Sequence, residues 1–337
     1  MRDPDGLLEA IRALHDAVRD EIVAATERRS LESMASVDRD DAGDTIYAID
    51  TIGESIVERF AQALARDRSF VMVAEGLAGG RRIYPDGADE ATADCWIVVD
   101  PIDGTRGLMY QKRSAWILTG VASNRGARPS LRDIELAVQT EIPLVKQHLS
   151  DQLWARRGAG AHAQRYNRLT GTHAPLRLRP SSATSIAHGY STIARFFPGA
   201  RDELAAVDDA IVRGALGPHA AGKTHCFEDQ YASTAGQLYE LMAGHDRFIA
   251  DLRPLLRPVL SSRGLPPALA CHPYDICCAL IAEEGGVIVT DADGRPLDAP
   301  LDVDAEVAWA GYANDHVRAQ IEPLLQRTIR ERGWSRP

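Results

Sequence analysis

The sequence predicts a mixed α+β / α/β protein built from two subdomains, and three observations predict it. Short β-branched and aromatic runs, bounded by Gly, Pro, Asp and Asn, crowd the first half. The second half mixes helical periodicity with short apolar strands. The 337 residues suffice for one large or two modest domains, and the change of character near residue 185 divides them into 1–185 and 186–337 with a cleft between.

The elements follow in order. Leu7, Ile11, Leu14, Val18 and Ile22 recur at helical spacing and predict an amphipathic opening helix. Asp38 to Asp44 reads as an acidic, glycine-containing loop, and a second helix carries Ile49, Ile52, Ile56, Phe60 and Leu64 on one stripe. Then come the β-like runs "SFVMVAEG", "CWIVVDP", "SAWILTGVAS", "IELAVQTEI" and "QLWARRG". Beyond residue 185, "SIAHGYST" predicts a strand, residues near 200–213 and 228–243 predict helices, and "RFIADL" another strand. Residues 253–273 are rich in proline and leucine without periodicity and read as an irregular excursion. "YDICCALIAEEGG" is a helix ending at a Gly pair, and "VIVTDADGRPLDAP" a hairpin turning at Asp293–Gly294. A strand, "EVAWAGYA", and a helix close the chain.

Composition limits the function. Hydrophobic residues at 45% and charged residues at 26% are the balance of an ordinary globular protein. A net charge of −10 without a basic block argues against nucleic acid and anionic membrane partners, and favours metal cations and small molecules. No apolar run reaches the length of a membrane span, and the opening residues lack the basic head and apolar stretch of a signal peptide, so a cytoplasmic location is expected. Five cysteines without a CxxC pattern predict reduced, mostly buried thiols.

The chemistry concentrates in "WIVVDPIDGT", residues 96–105. An apolar strand delivers Asp100 and Asp103, and Pro101 is expected to turn the chain so that the two carboxylates converge. Held close, they repel unless a proton or cation lies between them. A hard divalent ion with oxygen ligands, Mg²⁺ first, meets that need. Gly104 and Thr105 bring flexible backbone and exposed amides to the same point, where a phosphate can be held. Metal beside phosphate suggests phosphoryl transfer or phosphate ester hydrolysis. A second reading is the aspartyl-phosphate chemistry of haloacid dehalogenase-type enzymes, which carry D-x-D-G-T. Here two residues separate the aspartates instead of one, and the motif lies about a hundred residues in.

With this string the chain resembles the inositol monophosphatase and fructose-1,6-bisphosphatase superfamily of Mg²⁺-dependent, lithium-sensitive phosphatases. Further segments fit in order: "DTIYAIDTIGESIVERF" with Asp50, "VMVAEG" with Glu75, "LWARRGAGA" as a glycine-ended hairpin, and "CHPYDICCALIAEEGGVIVTDADGRPLDAP" with Asp275. The resemblance implies a layered αβαβα sandwich, most metal ligands in the first subdomain, and the last in the second. It implies two to three Mg²⁺ ions: Asp100 bridging, Glu75 and the Ile102 carbonyl completing one site, Asp103 and Asp275 the other. Thr105, paired with Asp50, would help Glu75 orient and activate the attacking water. Asp103, Gly104 and Thr105 would meet the phosphate, and Ser233, Thr234 and Asp251 the rest of the substrate. It also implies a small phosphorylated metabolite as partner (an inositol, sugar or polyol phosphate, histidinol phosphate or nucleotide 3′-phosphate), and a homodimer, common in the family.

The chain departs from the family where Gly76 replaces a second acid and Tyr274 a tryptophan, and where "RGLMYQKRSAW" follows the motif: Arg106 adds positive charge beside the phosphate site, suited to a second phosphate or a carboxylate, while Lys112 and Arg113 read as solvated surface cations. The rebuilt loops leave room for a third reading, a non-catalytic phosphometabolite-binding protein. Taken singly, Asp50 and Asp275 would serve equally as first-turn helix acids.

Overall fold

A computed structural model of the chain describes residues 1–28, 37–41, 44–47, 49–218 and 220–334. Its helices are α1 (Pro4–Arg28), α2 (Asp50–Leu64), α3 (Thr105–Met109), α4 (Arg201–Leu216), α5 (Thr234–Met242), α6 (Arg257–Ser262), α7 (Pro273–Ile276), α8 (Ala279–Glu284) and α9 (Asp315–Glu331). The first strands are β1 (Val37–Asp41), β2 (Asp44–Tyr47), β3 (Phe70–Ala74), β4 (Arg81–Tyr84), β5 (Cys95–Asp103), β6 (Ala115–Ser123) and β7 (Ile134–Ile142). They continue with β8 (Leu149–Arg156), β9 (Ala161–Asn167), β10 (Thr172–Leu176), β11 (Tyr190–Ile193), β12 (Asp246–Asp251), β13 (Ile288–Asp291) and β14 (Trp309–Tyr312).

Five layers stack as αβαβα. Helices α1 and α2 cover one face of an eight-stranded sheet ordered β10-β9-β8-β7-β6-β5-β3-β4. Helices α5, α7 and α8 fill the space between it and a four-stranded sheet, β11-β12-β14-β13, which α4 and α9 close from outside. Strand alternation explains the stacking. On β5, Cys95, Ile97 and Val99 join the apolar core under α1 and α2, whereas Trp96 and Val98 join the core of the middle layer. On β12, Ile249 points into that middle core, and Phe248 and Ala250 into the outer one with Leu204, Val207, Ile321 and Leu325. The larger sheet ends at Leu176 and the smaller begins at Tyr190, yet α7 and α8 from the second half lie on the larger sheet. Among the described residues, no helix is long and apolar enough to cross a membrane. Four of the five cysteines are buried and all five are free thiols.

Several elements differ from the sequence expectation. The acidic stretch is a hairpin, with β1 and β2 pairing antiparallel; its connecting residues Ala42 and Gly43 lie outside the described residues. Strands β4 and β10, which no apolar run announced, form the two edges of the large sheet. Of "SIAHGYST" only the last three residues are strand, opening β11. The helix expected near 228 starts at Thr234, because Ser233 Oγ accepts the Gly236 amide at 2.9 Å and caps it there. The excursion at 253–273 holds a 3-10 turn (Arg253–Leu256) and α6, with Pro254 and Pro258 in their first turns, where a missing N–H costs nothing.

The helix from 274 is broken between α7 and α8 at Cys277–Cys278. The hairpin after it turns as expected: the Asp291 carboxylate accepts the Asp293 and Arg295 amides at 2.8 and 2.9 Å. Its return arm makes one bridge, Thr290 to Pro296, and β13 pairs with β14 instead.

Candidate active site

Residues three apart on a regular strand face opposite sides of a sheet, so Asp100 and Asp103 should diverge. They do not, because the pairing of β5 with β6 slips by one residue: Asp100 stands opposite Leu118 and Asp103 opposite Trp116. Leu118 and Trp116 share a face, so the bulge brings both carboxylates to it while Ile102 is turned into the core under α1. The expected sharp turn at Pro101 is therefore a bulge within a strand that runs on to Asp103. From across the middle layer, α7 brings Asp275, and one oxygen from each of Asp100, Asp103 and Asp275 lies within 4.8 Å of the others.

Each carboxylate is held by backbone. Asp100 Oδ1 accepts the Ile102 amide at 2.9 Å. Asp103 Oδ2 accepts Ser233 Oγ at 2.9 Å and the Ala235 amide at 2.7 Å, tying β5 to the start of α5. Asp275 Oδ2 accepts the His272 amide at 2.6 Å. At the open side, Thr105 Oγ1 is 2.9 Å from Asp50 Oδ1 and equally 2.9 Å from the Ile102 carbonyl. Asp50 Oδ2 in turn accepts the Tyr47 amide at 2.8 Å. Gly104 has φ 95°, and a Cβ there would lie 3.0 Å from that of Ser233, so only glycine lets the motif and α5 approach this closely.

One cleft is lined by Asp50, Glu75, Asp100, Ile102, Asp103, Gly104, Thr105, Arg106, Ser233, Thr234 and Asp275. Of the residues singled out in the sequence, Asp251 is not among those lining it: it is fully buried and bound to Arg253. Arg113 instead pairs with Asp229. The cleft also has walls that the sequence did not announce, namely Phe196, Phe197, Arg253 and His272. His272 Nδ1 is 2.9 Å from the Ala305 carbonyl, so that nitrogen carries the proton, and burial holds the ring below its ordinary pKa.

Burial raises the carboxylates first, and their mutual repulsion adds to it. Asp100 is pushed well above the carboxylate range by burial, then by Asp103, Asp275 and Glu75. Asp275 is raised by burial and then by Asp103. Asp103 rises only to about 7, because the Ala235 amide, the Ser233 hydroxyl and the Arg253 charge offset part of its burial.

No family model matches the chain, and no curated protein matches it by sequence. Solved structures do match in shape. Fructose-1,6-bisphosphatase of Leishmania major superimposes with a TM-score of 0.68 at 14% identity, covering 97% of this chain and 96% of that one. The extragenic suppressor protein SuhB of Bartonella henselae gives 0.64 at 15%, over 96% and 99% of the two chains. An IMPase of Thermotoga maritima gives 0.58 at 16%, over 98% and 99%. This chain has the inositol monophosphatase/fructose-1,6-bisphosphatase fold.

Within this fold the three clustered aspartates make a donor set of hard oxygens, which suits a divalent cation such as Mg²⁺. Buried carboxylates this close cannot all ionise without an added positive charge, and Arg253 is already engaged by Asp251.

Proposed function

We propose that this chain is a Mg²⁺-dependent phosphomonoesterase acting on a small phosphorylated metabolite. The observation that carries the reading is the meeting of Asp100, Asp103 and Asp275, from two separate elements, beside the Gly104–Thr105 turn. Asp100, Asp103 and Asp275, with Glu75 and the Ile102 carbonyl, would hold the cations. A divalent ion there supplies positive charge to the phosphoryl oxygens and lowers the pKa of a nearby water. Thr105 and Asp50 orient the attacking water, and Glu75 takes its proton. Water adds to phosphorus, the ester P–O bond breaks, and the leaving oxygen departs with the electron pair and gains a proton. The first amides of α3, which have no intrahelical acceptor, would hold the phosphate oxygens. No covalent intermediate is required, which separates this reading from the aspartyl-phosphate one.

The test is phosphate release from a panel of phosphomonoesters, with and without Mg²⁺, in wild type and Asp103→Asn. Mg²⁺-dependent turnover that falls in the variant by about a hundredfold or more is expected. Turnover independent of added metal and retained in Asp103→Asn would overturn the proposal, as would a trapped phosphoaspartate.

A further inference from the structure

Helix α7 touches both the catalytic cleft and a second cavity. Tyr274 and Asp275 line the first, while Ile276 and Cys277, where the helix ends, line the second, and the two share no residue. The second cavity measures about 180 Å³, and no protein side chain fills it. Protein interiors hold few voids larger than a water molecule, and an apolar cavity of about 150 Å³ takes up a molecule the size of benzene. The apolar lining here includes Leu131, Ile134, Ile276, Leu280 and Leu297, all of them buried.

Three exposed charged side chains border the same space: Arg132, Arg157 and Glu283. Arg157 is anchored, its Nε and Nη2 donating to the Ile134 carbonyl at 3.0 and 2.8 Å. Two of its five N–H groups are used, and the other three have no protein acceptor among the described residues. Glu284 holds the Gly158 and Gly160 amides at 2.7 and 2.8 Å and so fixes the turn that follows Arg157. Its neighbour Glu283 is not engaged in this way: Arg157 and Arg132 act on it through space, without a hydrogen bond among the described residues. On α8, Glu283 lies one turn after Leu280, so the helix presents the acid and part of the apolar lining together.

Charges on a rim are ordinarily just solvated surface, and the unfilled apolar space they border is what ties these three to one ligand. Two cations, one anion and an apolar cavity match a molecule with a carboxylate for the arginines, an ammonium for Glu283 and an apolar tail. A simple anion would be attracted by the arginines but repelled by Glu283, and a hydrocarbon would leave all three charges unused.

We propose that this cavity is a binding site for a small apolar α-amino acid, separate from the catalytic cleft. The inference does not depend on the phosphomonoesterase reading.

The test is calorimetry on the full chain with three probes. These are L-leucine, 4-methylpentanoate, which lacks the ammonium, and 3-methylbutylamine, which lacks the carboxylate. Leucine should bind saturably, and roughly tenfold or more tightly than either truncated probe. Arg132→Gln and Glu283→Gln change exposed side chains and leave the core intact. In Arg132→Gln the advantage of leucine over 3-methylbutylamine should shrink about five- to tenfold, and in Glu283→Gln its advantage over 4-methylpentanoate should do the same. Asp103→Asn, in the catalytic cleft, should bind leucine like wild type. No saturable binding of leucine, equal binding of leucine and either truncated probe, or either ratio unmoved by its own substitution would overturn the assignment. Loss of leucine binding in Asp103→Asn would put the probe in the catalytic cleft and overturn it as well.

Discussion

Thr105 has one hydroxyl proton and two acceptors, the Asp50 carboxylate and the Ile102 carbonyl, both at 2.9 Å. It links the first turn of α2 to the bulge that aims the aspartates. Thr105→Val keeps the shape and deletes the link. Turnover should fall by about a hundredfold if the hydroxyl helps to orient water, while stability should drop by only about 1 kcal/mol. Steady-state kinetics beside urea melts check this, and activity within a factor of two of wild type would remove Thr105 from the machinery. The residue types at this scale were legible: Asp50, Glu75, Asp100, Asp103, Thr105 and Asp275 stand in the sequence with their chemistry visible, and they line one cleft. What stayed hidden was the means by which Asp100 and Asp103 converge, a bulge where a sharp turn at Pro101 was expected. A spacing of three on a strand means opposite faces, and only the one-residue slip against β6 reverses that. Asp251 shows the converse, since its chemistry was visible while its burial against Arg253 was not.

At the scale of elements, the break between α7 and α8 packs against a glycine of β6. A Cβ on Gly120 in β6 would lie 3.0 Å from the Cys277 carbonyl oxygen and 2.9 Å from Ile134 Cδ1. The backbone just after α7 packs into that gap, two residues beyond Asp275, which meets Asp100 and Asp103. Gly120→Ala should cost roughly 1–3 kcal/mol through overpacking and weaken Mg²⁺ binding at the same time. Denaturant melts and calorimetric Mg²⁺ titration give the two readings, and unchanged Mg²⁺ affinity in a destabilised variant would show that Asp275 is positioned some other way. The continuous pattern of "YDICCALIAEEGG" predicts one helix because periodicity sees only local apolar spacing. The split is imposed from a strand more than 150 residues earlier in the chain. Edge strands β4 and β10 escaped notice for a related reason, being too exposed to carry an apolar run.

Across the whole molecule, His15 ties the outermost helix to the large sheet. Its ring is fully buried on α1, with Nδ1 2.9 Å from Thr140 Oγ1 and Nε2 2.9 Å from Thr119 Oγ1. A neutral imidazole offers one donor and one acceptor, which two hydroxyls can satisfy. Burial, with a smaller contribution from Arg19, lowers its pKa to about 3. The sign follows directly: below about 6.5 the unfolded chain takes up a proton that the folded one refuses, so stability falls with pH down to about 3. At pH 5 the loss from this residue is about 2 kcal/mol relative to pH 8. The buried aspartates act in the opposite sense, since raised pKa values favour the folded state as pH falls. The comparison is therefore between wild type and His15→Gln in metal-free protein, by urea melts at both pH values. The pH 8 to pH 5 loss should be about 2 kcal/mol smaller in the variant, and equal losses would show that His15 titrates normally.

The sequence by itself determined the mixed α/β character and the identity of the acids in the cleft. Apolar periodicity and residue chemistry are local properties, readable within a few positions. The tertiary structure alone decided how those acids converge and what faces them. The bulge in β5, the gap at Gly120 and the cap at Ser233 are each settled by a neighbour far away in the chain. The wall of Phe196, Phe197 and Arg253 exists because β11 pairs in parallel with β12, bringing the chain ends beyond both strands to the same side of the small sheet. No local pattern encodes that pairing, for it depends on which strands bury their faces together.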